Sequence, residues 1–248
     1  MSEHWTRLRW TAGEYALLCA ELRAQADEPY RLFHARLLPG VSNLLGVRTP
    51  KLRRIAREIA AGELTSFLAL STDDTYEETM LRGLAIGYAA LPRTEAFLQI
   101  EAFLPSITNW AICDMCTSSF RCLARADEET FEFVRAHLAS SEEYTVRFAV
   151  VALLDYFVTE QWIDQVLALL CAVQSEAYYV RMATAWALSI CFVKFCEPTL
   201  AALKTQPLDD FTYNKTLQKC CESTRVSDGQ RALLRSMKRK ISSKGVLL

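Results

Sequence analysis

The sequence has few glycines and prolines and lacks an apolar run long enough to cross a membrane. Its 248 residues include only eight glycines and seven prolines, although 51% are hydrophobic. This scarcity disfavours a sheet protein with many tight turns and favours helices. A membrane span needs about 18 consecutive apolar residues, and the sequence has no such run. Residues 1–9 lack the apolar core of a signal peptide, so we expect a cytoplasmic protein without a membrane partner.

Several motifs that would point to a particular chemistry are also missing. The sequence has no glycine-rich phosphate loop, no Gly-x-Ser-x-Gly and no His-Glu-x-x-His. Its three histidines are far apart, and Cys113 with Cys116 forms a single Cys-x-x-Cys without a second pair. The nine cysteines are scattered through apolar segments, which is typical of reduced, buried thiols. We therefore expect neither a metal nor a cofactor.

Charge is distributed unevenly along a chain whose formal net charge is only −1. Residues 48–57 carry five basic side chains and no acid, whereas residues 63–143 carry 14 acids and five arginines. Such asymmetry indicates an anionic partner held at particular places, with ordinary solvated helix faces as the alternative. An acidic middle region is unusual for a protein that binds nucleic acid.

Apolar residues recur at spacings of three and four along the chain, which predicts about seven pairs of helices. Helices are expected, for example, over residues 107–125 and 178–194. The sequence Val-Arg-x-Ala occurs at residues 146–149 and again 34 residues later at 180–183. A two-helix repeat of this length is typical of HEAT-like proteins. We therefore predict an all-α fold, a right-handed α-solenoid with a concave binding face, formed by a single domain over residues 1–248.

The most informative segment is residues 108–114. Trp110 and Asp114 are four residues apart, so on a helix they project from the same face. Alone, this pair would more often be structural, with the indole in the core and the carboxylate paired to an arginine. Arg147 and Trp186 follow in later repeats, at offsets that a solenoid would bring together. The presence of Arg147 and Trp186 at these offsets favours a functional surface.

These motifs resemble those of the AlkD-like DNA alkylation repair glycosylases, a family built from HEAT-like repeats. Residues 45–53 read Leu-Gly-Val-Arg-Thr-Pro-Lys-Leu-Arg, similar to an early motif of that family. The Asn-Trp-x-x-x-Asp segment ending at Asp114 and the Arg-x-x-x-x-Trp-Ala segment around Trp186 resemble two later ones. The resemblance covers most of the chain.

The resemblance implies a monomeric enzyme that removes cationic N3- or N7-alkylpurines from double-stranded DNA. The implied catalytic residues are Asp114, Trp110 and Trp186. The expected DNA-binding residues are Arg147, Arg181, Lys215 and Arg53, although Lys215 is also explained as a solvated surface lysine. The alternative is a HEAT-like module that binds nucleic acid or a protein without catalysis, because the fold alone does not imply activity.

Overall fold

The computed structural model describes residues 4–240, which contain 14 α-helices and no strand. The predicted all-α class is confirmed. Two compact units divide the chain, the first ending at Arg125 and the second beginning at Ala126. The first holds α1 (Ala12–Ala24), α2 (Glu28–Ala35), α3 (Thr49–Ala60), α4 (Leu64–Leu70), α5 (Tyr76–Tyr88), α6 (Arg93–Phe103) and α7 (Trp110–Thr117). The second holds α8 (Glu128–Ala136), α9 (Glu143–Ala152), α10 (Ile163–Ala172), α11 (Tyr178–Lys194), α12 (Cys196–Thr205), α13 (Asp210–Glu222) and α14 (Asp228–Ser236).

Within each unit, alternate helices pack side by side. In the first unit α5 packs between α3 and α7, and in the second α11 packs between α9 and α13. The intervening helices α4 and α6 contact α5, while α10 and α12 contact α11. Helices two apart in sequence are therefore neighbours in space, which is the local packing expected of two-helix repeats.

Two glycines let α7 and the turn after it approach α5 closely. A Cβ on Gly83 would lie 2.4 Å from Cys116 Sγ and 2.5 Å from Phe103 Cζ. A Cβ on Gly87, one turn later, would lie 2.2 Å from Ser119 Oγ and 2.7 Å from its carbonyl oxygen. Any side chain at these positions would push the neighbouring segment away from α5.

A buried carboxylate on α5 holds the loop that precedes α3. Glu77 is fully buried, and its oxygens accept backbone N–H groups from Leu45 at 2.9 Å, Gly46 at 2.7 Å and Val47 at 3.1 Å. Gly46 has φ +93°, and a Cβ there would lie 2.8 Å from the carbonyl oxygen of Asp27. The Leu-Gly-Val sequence therefore forms a carboxylate-binding turn that fixes the start of α3.

Glu78, next to Glu77, is also buried, and neither carboxylate has an arginine partner among residues 4–240. The carboxylate oxygens of Glu78 accept hydrogen bonds from Tyr15 Oη at 3.0 Å, Thr75 Oγ1 at 2.6 Å and Cys19 Sγ at 3.2 Å. Burial opposes ionisation of Glu78, but these donors lower its pKa below the ordinary value. For Glu77, burial outweighs the backbone donors and raises the pKa.

One helix ends earlier than the periodicity indicates. The helix expected over residues 107–125 is instead α7 followed by a 3-10 segment, Arg121–Arg125. The hydroxyls of Thr117, Ser118 and Ser119 donate to carbonyl oxygens of the preceding turn. Such bonds compete with helix continuation. Farther along the chain, α9 changes after Ala152 into a π-helical turn, Leu153–Phe157.

Six of the nine cysteines are buried, as expected for thiols that act as small hydrophobes. No helix within residues 4–240 is long and apolar enough to cross a membrane.

Gly83→Ala is expected to lower the free energy of unfolding by about 1–3 kcal/mol, because the added methyl overpacks the contact with Cys116 and Phe103. Urea denaturation followed by far-UV circular dichroism measures the change. Gly229→Ala is the matched control, since its added Cβ on α14 meets nothing within 4 Å. The control is expected to be stabilised by about 0.4–1 kcal/mol. Equal destabilisation of the two variants would contradict the packing role of Gly83.

Candidate functional site

The helix that carries Trp110 and Asp114 begins at a capped residue. The side-chain oxygen of Asn109 is buried and accepts the backbone N–H groups of Ala111 at 3.1 Å and Ile112 at 3.0 Å. Trp110 is the first residue of α7 and is half-buried. Its indole Nε1 donates to the carbonyl oxygen of Leu37, 3.0 Å away, just after α2. The indole is thus held by a hydrogen bond at its ring nitrogen, on a helix whose first turn is capped.

Asp114 lies one helical turn after Trp110 and is also half-buried. The opposite face of α7 is fully packed, with Ile112, Cys113 and Cys116 in the core. Burial raises the pKa of the Cys116 thiol far above its ordinary value. Among residues 4–240, no group of three or more His, Cys, Asp or Glu side chains is placed to hold a metal. Cys113 and Cys116 pack in the core, while the Trp110–Asp114 face remains partly open.

Arg53 lies in the same unit and contacts the residue that follows Asp114. Its guanidinium donates through Nη1 to Tyr88 Oη at 2.6 Å, and Nη2 lies 3.6 Å from Met115 Sδ. The structure therefore brings Arg53, predicted to bind DNA, next to α7. These contacts occupy part of its hydrogen-bonding capacity.

Arg147 of α9 and Arg181 of α11 occupy the same position of the Val-Arg-x-Ala sequence but differ in burial. Arg147 is only 5% exposed, and its Nη1 donates to the carbonyl oxygen of Tyr179 at 2.6 Å. Arg181 is half-buried, and it contacts Glu176 through the backbone oxygen at 2.9 Å and the carboxylate at 3.3 Å. The identical sequence context did not predict this difference. Arg147 ties the start of α11 to α9, and its DNA-binding role stays a prediction.

Trp186 is half-buried on α11, in the second unit. It lines an open cavity of about 250 Å³ between α11 and α13. The other lining residues are Ser189, Ile190, Val193, Lys219, Glu222 and Ser223. A half-buried indole beside a lysine can accept a flat or apolar group, but the cavity is also lined by one acid, Glu222.

Phe211, at the start of α13, brings together two of the predicted DNA-binding side chains. The Arg181 guanidinium carbon lies 4.8 Å from the centre of its ring, and Lys215 Nζ lies 5.9 Å from it. Lys215 also donates to Gln218 and lines a cavity of about 420 Å³ with Arg235 and Lys238. The two cations therefore share one aromatic platform.

Sequence reasoning missed a set of aromatic residues at the starts of three helices, which we call the aromatic row. Its members are Tyr144 of α9, Tyr178 and Tyr179 of α11, and Phe211 of α13. Adjacent ring centres are 5.3–6.0 Å apart, and Tyr178 is 54% exposed. The available signal was an aromatic residue at the second helical position of three successive alternate helices.

The fold and these surfaces define a class: an all-helical protein with two-helix packing, arginine–aromatic clusters and a half-open Trp–Asp pair. A family model described as DNA alkylation repair enzyme matches residues 18–191, and the chain belongs to that family. The match confirms the resemblance seen in the sequence and supports a role in DNA repair. Comparison with curated proteins found no match, and comparison with solved structures found none either.

Asn109→Ala is expected to lower the free energy of unfolding by about 1–2 kcal/mol, because two N–H groups at the start of α7 lose their acceptor. Asn109→Ser retains an acceptor oxygen and should cost less. Urea titrations of both variants measure the difference. Identical midpoints for the alanine variant and the wild type would show that this cap does not stabilise α7.

Proposed function

We propose that the protein is a monofunctional DNA glycosylase that excises cationic N3- or N7-alkylated purines from duplex DNA. The observation that carries the proposal is the placement of Asp114 one turn from Trp110 on a capped helix, in a chain of the DNA alkylation repair family. Asp114 is only half-buried, and the opposite face of its own helix is packed in the core. This arrangement suits a charge that must meet a substrate in a defined position.

The chemistry requires little from the protein beyond a placed negative charge. An alkylated purine of this kind already carries a positive charge, so it leaves as a neutral base when the C1′–N bond breaks with its electron pair. Positive charge then develops on the deoxyribose, and Asp114 would stabilise it electrostatically. A water molecule supplies the new C1′–O bond and loses a proton to Asp114 or to solvent.

The tryptophans have a related role in this proposal. The indole faces of Trp110 and Trp186 would pack against the sugar and attract the cationic centre. The hydrogen bond from Trp110 Nε1 to the carbonyl oxygen of Leu37 restricts rotation of that ring. A fixed ring loses little conformational entropy when the substrate binds.

The second unit offers groups suited to the DNA backbone. Arg181 and Lys215 meet at Phe211, and the aromatic row exposes Tyr178 beside them. Cations fix the phosphates, whereas aromatic faces contact sugars or bases. Buried Arg147 would contribute through a small exposed fraction, so we expect its substitution to affect folding as well as binding.

We also infer that the helices form HEAT-like repeats of a right-handed solenoid. The side-by-side packing of alternate helices within each unit and the 34-residue recurrence of Val-Arg-x-Ala support this assignment.

Asp114→Asn is expected to reduce base release by about 100-fold or more, because the amide removes the negative charge that stabilises the oxocarbenium-like transition state. The assay incubates the protein with N-methylated duplex DNA and quantifies released 3-methyladenine and 7-methylguanine by mass spectrometry. Affinity for unmodified duplex is measured in parallel and should be retained.

Asp164→Asn, on the exposed face of α10, is the matched control and should release bases at the wild-type rate. The catalytic proposal fails if the wild type releases no base above background, or if Asp114→Asn releases it at an undiminished rate. DNA binding without release would instead identify a non-catalytic binding module.

A further inference from the structure

Three arginines converge on the ring of Tyr88, the last residue of α5. Arg53 of α3 donates to the Tyr88 hydroxyl at 2.6 Å. The guanidinium carbons of Arg57, also of α3, and of Arg121 lie 4.8 Å and 5.5 Å from the ring centre. We call Arg53, Arg57, Arg121 and Tyr88 the Tyr88 cluster. It gathers three positive charges around one half-buried phenol ring.

None of these three arginines forms an ion pair with an acid within residues 4–240. The other hydrogen bonds and sulfur contacts of their side chains go to Met115 Sδ and to the backbone oxygen of Arg53. Four other arginines of the first unit do have carboxylate partners. Those four are Arg7, Arg31, Arg48 and Arg82. The Tyr88 cluster therefore differs from those four in having no carboxylate partner, although Tyr88 and Arg121 lie in the acidic stretch of residues 63–143.

The outer two arginines are exposed and border an open cavity. Their guanidinium carbons lie 4.8 Å and 5.5 Å from the same ring centre, so they are separated by at most about one Debye length at 0.1 M salt. The cavity has a volume of about 330 Å³, and no acid lines it. Its other lining residues are Tyr88 and three alanines, Ala60, Ala61 and Ala90. Small side chains leave room for a group to approach both guanidiniums.

We propose that the Tyr88 cluster is a phosphate-binding site in which Arg57 and Arg121 contact the anion. Guanidinium groups match phosphate oxygens in geometry, and an anion between them relieves their mutual repulsion. Two sources supply this chemistry, a phosphodiester of a DNA strand or a free phosphate. Binding of a DNA phosphodiester rests on the proposed function. It would add a contact to the DNA backbone in the first unit, outside the helix that carries Trp110 and Asp114.

Arg53 and Tyr88 act as positioning residues. The bond from Arg53 fixes the phenol hydroxyl, and the ring face orients the two outer guanidiniums by cation–π attraction. Tyr88→Phe retains the ring and should retain most of the affinity, whereas Tyr88→Ala should weaken phosphate binding.

Arg57→Gln and Arg121→Gln test the site, with Arg23→Gln on an exposed position of α1 as the matched control. Fluorescence anisotropy with a labelled unmethylated duplex measures affinity at several salt concentrations. Each test variant should bind roughly three- to tenfold more weakly, with a slope of log K against log salt shallower by about 1. The control should change neither quantity. A second arm measures binding of inorganic phosphate by isothermal titration calorimetry.

The outcomes separate the two sources and the two proposals. Weaker duplex binding in both test variants assigns the site to a DNA phosphate, while loss of inorganic phosphate binding alone assigns it to a free phosphate. Unchanged binding in both arms overturns the site, even if the wild type releases methylated bases. Conversely, weakened duplex binding with no base release by the wild type leaves the site standing and removes the glycosylase proposal.

Discussion

The close contact between α5 and the segment from α7 to Ser119 is the constraint on which the first unit's candidate site depends. Gly83 and Gly87 have no side chain, so Cys116 and Ser119 lie where a Cβ would otherwise be. This contact buries one face of α7 completely and leaves the Trp110–Asp114 face half-open. The position of the carboxylate is therefore set by packing on the opposite side of its own helix.

A second layer of positioning comes from buried polar groups that bind backbone. Glu77 holds the turn before α3, and Asn109 holds the start of α7. Removing either would leave N–H groups without an acceptor in a region closed to water, which is costly. Because α3 carries Arg53 and Arg57, the Glu77 turn also contributes to the placement of the Tyr88 cluster. The buried carboxylate of Glu77 thus stabilises backbone and has no arginine partner among residues 4–240.

The sequence predicted long, strongly periodic elements well and local environments poorly. The helix expected over residues 178–194 is α11 with those bounds, because its apolar spacing continues without interruption. The helix expected over residues 107–125 ends at Thr117, because three consecutive hydroxyl side chains bond to the carbonyls before them. The spacing of apolar residues carries no information about such hydrogen bonds. The pairing of Trp110 with Asp114 on one helix face was likewise predictable, since four-residue spacing alone decides it.

The sequence by itself determined the helical class, the family and which residue types are available for chemistry, because these follow from spacing and from short motifs. The tertiary structure decided which of those residues are accessible and which charges are neutralised. Arg147 and Arg181 share one motif, yet one is buried against Tyr179 and the other reaches Phe211. Arg53, Arg57 and Arg121 meet at Tyr88 only because α3, α5 and the segment after α7 pack together. Burial and charge compensation depend on neighbours distant in sequence, so only packing could settle them.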